Sequence, residues 1–112
     1  MPPYRDLDFL NIESLLTDEE KLVRQTVRRF VDEQVIPSIE EWNQECKFPF
    51  HLVKPMGELG FLGAGLSDYG GSDMNSVQYG LMMQELERGD SSLRSFVSVQ
   101  SALVIYPILT YG

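Results

Sequence analysis

The run Glu85-Leu86-Glu87-Arg88-Gly89-Asp90-Ser91-Ser92-Leu93-Arg94-Ser95-Phe96-Val97-Ser98-Val99-Gln100-Ser101 decides how this chain folds. It holds the end of one helix, a stop and the start of another. Gly89 ends the first helix, and Asp90 or Ser91 caps the second. Upstream, Val77, Tyr79, Leu81, Met82, Met83 and Leu86 spread around most of a helix from about Asn75 to Arg88. That spread predicts packing on several sides. Gly80 inside it costs about 1 kcal/mol against alanine, which a close helix–helix approach would explain. Downstream, no acid or base follows Arg94, and the second helix is expected to run towards Ile105 until Pro107 interrupts it. A cation at the head of an apolar helix needs an acidic partner, a ligand anion or open water.

Further towards the N-terminus, Thr17-Asp18-Glu19-Glu20 is a capping box. Leu22, Val23, Thr26, Val27, Phe30, Val31, Val35 and Ile39 then recur at steps of three and four. They predict one long amphipathic helix to about Trp42, bent near its end by Pro37. Residues 43–49 connect it to a short helix from Phe50 to about Leu59, stopped by Gly60. The glycines from Gly60 to Gly71 follow no strand and lack G-x-G-x-x-G spacing, so they read as loop and turn, with Ser67 to Asp73 the most turn-rich part. Residues 1–16 show no period and read as an extended arm or a short helical turn. No strand alternation and no repeat is present. The class is all-α, with an arm over 1–16 and a helical domain over 17–112. The close on Ile108-Leu109-Thr110-Tyr111-Gly112, without a polar tail, is expected of a chain cut from something longer.

The bulk numbers exclude several function classes. With 112 residues and 43% hydrophobic side chains there is room for one small core. A net charge of -8 argues against nucleic acid and anionic membrane surfaces, both of which need a basic face. The single cysteine, Cys46, has no internal disulfide partner, which fits a reducing compartment. Ser95, Ser98, Gln100, Ser101 and Pro107 make residues 95–112 a buried helix of a soluble protein sooner than a membrane span. His51 and Cys46 lack companions for a metal site and read as structural or surface residues. Trp42 and Phe30 read as core or interdomain packing, and Met56, Met74, Met82 and Met83 as packing residues.

One polar constellation stands out. Arg94, Ser98 and Ser101 fall at i, i+4 and i+7, on one face of the last helix, with Ser91 and Ser95 beside them. Leu93, Phe96, Val97, Leu103 and Val104 take the other sides. A guanidinium can grip a carboxylate in two parallel hydrogen bonds, and serine hydroxyls can add single ones. The simpler expectation is that Arg94 pairs with Glu87 or Asp90 across the Gly89 turn and ties two helices. The two roles are compatible, because such a pair can also hold the guanidinium for a ligand.

Met56-Gly57-Glu58-Leu59-Gly60-Phe61-Leu62-Gly63, Tyr69-Gly70-Gly71 and Ser76-Val77-Gln78-Tyr79-Gly80-Leu81 resemble the N-terminal helical domain of flavin-dependent acyl-CoA dehydrogenases. Glu85 to Ser91, Arg94-Ser95, Ser98-Val99-Gln100-Ser101, Pro107-Ile108 and Tyr111-Gly112 resemble the glutaryl-CoA branch of that family more specifically. The resemblance covers nearly all of residues 17–112. It implies that Arg94 and Ser95 bind the distal carboxylate of the substrate, with Ser98 and Glu87 completing the polar end of the pocket. Gly89 and Leu93 stand where bulkier or aromatic residues are expected in some relatives.

The resemblance also implies a reaction, α,β-dehydrogenation of an acyl-CoA with hydride transfer to FAD, followed for a glutaryl substrate by decarboxylation to crotonyl-CoA. The family's catalytic base and most of its flavin contacts lie outside this stretch, so no catalytic or cofactor-binding residue is assigned here and the isolated piece is expected to be inert. Electron-transfer flavoprotein is the implied electron acceptor, and a homotetramer the implied assembly. A bacterial cytoplasm is the expected location, or the mitochondrial matrix for a processed eukaryotic protein. Two alternatives remain open: another acyl-CoA dehydrogenase or oxidase in which Arg94 is only a helix tie, and a non-catalytic helical module that offers its apolar last helix to a partner.

Overall fold

Helix α1 (Asp18–Gln34) starts where its capping box demands. Glu20 N–H donates to Thr17 Oγ1 at 3.2 Å, and Thr17 N–H donates to Glu20 Oε1 at 2.8 Å. The structure, a computed structural model, describes residues 10–66 and 71–112. Residues 1–9 of the arm and the Ser67–Gly70 part of the turn-rich loop lie outside the described residues. Within the arm, Ile12–Leu15 form a single 3₁₀ turn, tied to α1 by a two-pronged bond from Arg24 to Glu13 at 2.6 Å on each oxygen.

The expected bend at Pro37 is a break. Helix α1 stops at Gln34, and a separate helix α2 covers Ile39–Gln44. Ile36 N–H reaches back five residues to Val31 O, and Ser38 N–H only three, to Val35 O. Pro37 has no N–H to carry the ladder between them and disfavours helical backbone at the residue before it, so the regular winding is lost. A 3₁₀ turn at Phe50–Leu52 leads into α3 (Val53–Glu58), and Gly60 ends that helix at φ +82, a conformation that favours glycine.

Helix α4 (Ser76–Gly89) carries a second capping box, Asn75 with Gln78. It lies on α1. The core joins Val27, Phe30, Val31 and Val35 of the first helix and its end to Met82 and Leu86 of α4. Leu52, Met56, Phe61 and Ala64 close it from the α3 side, and Leu93 and Val97 from the last helix. Phe30 meets Phe61 edge to face at 5.5 Å, and Phe96 packs on Phe48 at 5.5 Å, both within the range of favourable aromatic pairs.

Two expectations about α4 are corrected. It is buried on one side, through Met82, Glu85 and Leu86, while Val77 is exposed. Gly80 marks no close approach, because a Cβ there would meet nothing within 4 Å. The close approach is at Gly89, where a Cβ would stand 2.6 Å from Val31 Cγ1. The same contact, with Leu93 fully buried, explains why neither position is bulkier in this chain.

The last helix runs without interruption over 21 residues, Ser91–Tyr111, as α5 (Ser91–Ser98), a π-helical segment Val99–Ile105 and α6 (Tyr106–Tyr111). Pro107 does not stop it. In a regular α-helix the proline ring would press on the carbonyl four residues back, whereas the π segment is wound wider, with Tyr106 N–H donating to Ser101 O. Burial is confined to the first two turns. Leu103, Tyr106, Ile108, Leu109 and Tyr111 are all more than half exposed, so the chain described here lacks cover for the face expected to be buried. By length and composition alone the helix could cross a membrane.

Candidate functional site

Two polar clusters emerge, one around a buried carboxylate between α1 and α4 and one at the α4–α5 corner. In the first, Glu85, 1% exposed, accepts from Nη2 of the half-buried Arg28 at 2.8 Å and from Arg88 Nε at 2.9 Å, and Arg88 Nη2 reaches Asp32 at 2.7 Å. Burial alone would lower the Arg88 pKa, but its bonds to Asp32 and Glu85 outweigh burial and hold it above the ordinary value. These groups consume one another's charges, so the cluster locks α4 onto α1. No local pattern marks this cluster, because Arg28 and Glu85 lie 57 residues apart.

The corner cluster holds the residues singled out in the sequence. Asp90, in extended conformation, serves as the end of α4 and the start of α5 without a side-chain cap of its own. This short corner brings Glu87 within reach of the next helix. Arg94 Nε donates to Glu87 Oε2 at 2.8 Å, and Ser91 Oγ donates to Glu87 Oε1 at 2.8 Å. The bond from Arg94, and then that from Ser91, lowers the Glu87 carboxyl pKa below its ordinary value. Of the two acids open to Arg94, Glu87 is the partner.

The serines divide their work. Ser98 Oγ donates to Ser95 O at 3.0 Å and meets Arg94 Nη1 only at a long 3.5 Å, as acceptor. The Ser95 side chain is exposed next to Arg94. Arg94 is itself 37% exposed on its side chain, and its Nη2 has no partner among the described residues. A guanidinium has five N–H donors, so its end-on edge stays able to take a carboxylate.

Ser101 parts company with this group. It lines a cavity of about 440 Å³ between the loop Gly63–Leu66, Met74 to Tyr79 and the second half of the last helix, through Ala102, Ile105 and Leu109. Its hydroxyl is buried without a hydrogen-bond partner among the described residues. Arg94 and Ser98 do not line this cavity. Tyr79, counted among the packing residues in the sequence, does.

The comparisons agree with this architecture. The sequence pattern of the acyl-CoA dehydrogenase N-terminal domain matches residues 17–112. Among characterised relatives, the chain is 37% identical to glutaryl-CoA dehydrogenase of Desulfococcus multivorans over 101 residues, covering 87% of this chain and 26% of that protein. It is 32% identical over 98 residues to the short-chain specific acyl-CoA dehydrogenase of Bos taurus mitochondria, covering 87% of this chain and 24% of that one. The crystal structure of a glutaryl-CoA dehydrogenase from Mycobacterium smegmatis in complex with FADH2 superposes with a TM-score of 0.90 at 43% identity, over 95% of this chain and 28% of that one. The chain thus spans about a quarter of the length of the relatives it matches. Its helices, their order and the matched sequence make it a member of the acyl-CoA dehydrogenase family, corresponding to that family's N-terminal helical domain.

Proposed function

We propose that this domain forms one wall of the acyl pocket in an FAD-dependent acyl-CoA dehydrogenase acting on glutaryl-CoA, with Arg94 recognising the distal carboxylate. The observation that carries the proposal is the state of Arg94. Its Nε is fixed by Glu87 while its end-on edge is left with donors to spare. Ser95, exposed next to it, offers a further hydroxyl, and Ser98 and Glu87 shape the polar end. Similarity to two glutaryl-CoA dehydrogenases supports the dicarboxylate reading. The open apolar face of α6 supports the domain reading, since enzymes of the relatives' length have chain with which to cover it.

The described residues do not themselves fit a flavin site. At the N-termini of α1 and α4 the side chains of Thr17 and Asn75 already take an amide each, as a bound anion would. In this reading FAD and the catalytic base belong chiefly to the rest of the enzyme, and this domain contributes substrate placement. Electron-transfer flavoprotein as acceptor, decarboxylation of the product and assembly as a tetramer complete the proposal.

The test is Arg94→Met in the full-length enzyme, compared on glutaryl-CoA and pentanoyl-CoA. One lost charge-assisted bond lowers kcat/KM for glutaryl-CoA by about ten- to hundredfold beyond any change for pentanoyl-CoA. Equal losses on both substrates refute carboxylate recognition. A second reading, an acyl-CoA dehydrogenase of other specificity in which Arg94 only ties α4 to α5, draws support from the placement of the cavity lower down the helix, away from Arg94. Equal losses are its signature.

A further inference from the structure

We infer that Ser91 is a positioning residue for the carboxylate-recognising arginine, acting through Glu87; this rests on the reading of Arg94 given above. Glu87 receives two donors, one on each oxygen: Ser91 Oγ on Oε1 and Arg94 Nε on Oε2, both at 2.8 Å. The terminal torsion of a glutamate is otherwise broad, so a single donor would leave the carboxylate free to rotate. Two donors one turn apart on α5 fix its plane. They also limit what Glu87 can take from Arg94.

A bare carboxylate facing an arginine closes a two-pronged pair along the Nε–Nη2 side. That pair would draw Nη2 towards Glu87 and compete with a ligand for the guanidinium. With Oε1 occupied by the Ser91 hydroxyl, Glu87 engages Nε alone, and Nη2 has no protein partner among the described residues. Ser91 thereby keeps the arginine anchored at one atom and open at its outer edge. The serine needs no contact with substrate to do this. Its position in the first turn of α5, four residues after Glu87, is what gives its hydroxyl the reach.

The experiment compares wild type, Ser91→Ala, Ser91→Thr and Arg94→Met in the full-length flavoenzyme, using the ratio of kcat/KM for glutaryl-CoA to that for pentanoyl-CoA. Ser91→Ala lowers this ratio by about two- to tenfold, the range of one modest hydrogen bond, chiefly through KM for glutaryl-CoA. Ser91→Thr, which keeps the hydroxyl, restores it. In a Glu87→Leu background, which removes both acceptor oxygens, Ser91→Ala causes no further fall. An unchanged ratio in Ser91→Ala beside a collapsed one in Arg94→Met overturns the role of Ser91 and leaves Arg94 standing. An unchanged ratio in Arg94→Met overturns both. A further fall in the Glu87→Leu background means that Ser91 acts by another route, which also overturns the inference. Carboxyl NMR of the 112-residue chain gives a readout independent of turnover: Ser91→Ala raises the Glu87 titration midpoint, and no movement overturns the proposed contact.

Discussion

Two glycines in one helix should respond to the same substitution with opposite sign. At Gly89 a new Cβ would lie 2.6 Å from Val31 Cγ1 and 3.2 Å from Val35 Cγ1. Both valines are fully buried, and Val31, inside the helix, has one strongly preferred rotamer, so the nearer of the two cannot swing aside. Overpacking of this kind costs about 1–3 kcal/mol, against which the better helix propensity of alanine returns at most about 1 kcal/mol, and less at a helix end. Gly89→Ala is therefore expected to destabilise the domain by about 1–2 kcal/mol. At Gly80 the same methyl meets nothing within 4 Å, on an exposed helical surface. Gly80→Ala should stabilise by about 0.5–1 kcal/mol. For a domain of this size each kcal/mol moves the midpoint by about 4–8 °C, so thermal unfolding followed by circular dichroism separates the two variants clearly. The sites lie about 13 Å apart along the helix, so the double variant should show the sum. If Gly89→Ala melts at or above the wild-type temperature, the tight α1–α4 contact described here is wrong.

Glu85→Gln should be among the most damaging single changes, costing about 3–5 kcal/mol in urea unfolding, because it leaves two arginines facing each other without the buried charge that separates them. A loss under about 1 kcal/mol would show that the cluster is open to water. The Glu87 carboxyl should titrate below the ordinary glutamate value of 4.5, and Arg94→Met should return it towards that value, as read by carboxyl NMR. Because its folded pKa is depressed, the contribution of Glu87 is present at neutral pH and is lost as pH falls through that lowered value; at so exposed a site, salt weakens it further. The 112-residue chain mixed with FAD and glutaryl-CoA should neither retain flavin on gel filtration nor turn over substrate. Turnover would show that the chain carries a base and a flavin site of its own.

What could be read from the sequence was whatever is local. The Thr17–Glu20 box, the stop at Gly60, the corner at Gly89 and Asp90 and the Glu87–Arg94 pair all lie within a few residues of one another, where backbone geometry alone decides the outcome. The Asn75–Gln78 box has the same signature and was there to be found. The significance of Gly80 and Gly89 could not be told apart, because a glycine's reason depends on a neighbour from another helix. The burial of Glu85 could not be read for the same cause: Arg28, which pairs with it, is brought near only by folding. Pro37 and Pro107 present the same chemistry, yet one breaks its helix and the other does not: before Pro107 the wide winding is sustained over Val99–Ile105, whereas before Pro37 a single five-residue reach from Ile36 to Val31 is not continued.

That widened stretch, Val99–Ile105, has a consequence for how related chains can differ in length. A wide turn holds one more residue than the ordinary winding would, so a one-residue deletion there can be absorbed by tightening the coil instead of tearing it. The stretch would lose its extra residue and keep its number of turns, so side chains beyond it, such as Leu109, would keep their directions relative to Arg94. Glu87, Ser91 and Arg94, which precede it, would stay where they are. The helix thus contains a point at which its length can change without re-aiming its distal half, and the α4–α5 corner need not register the change.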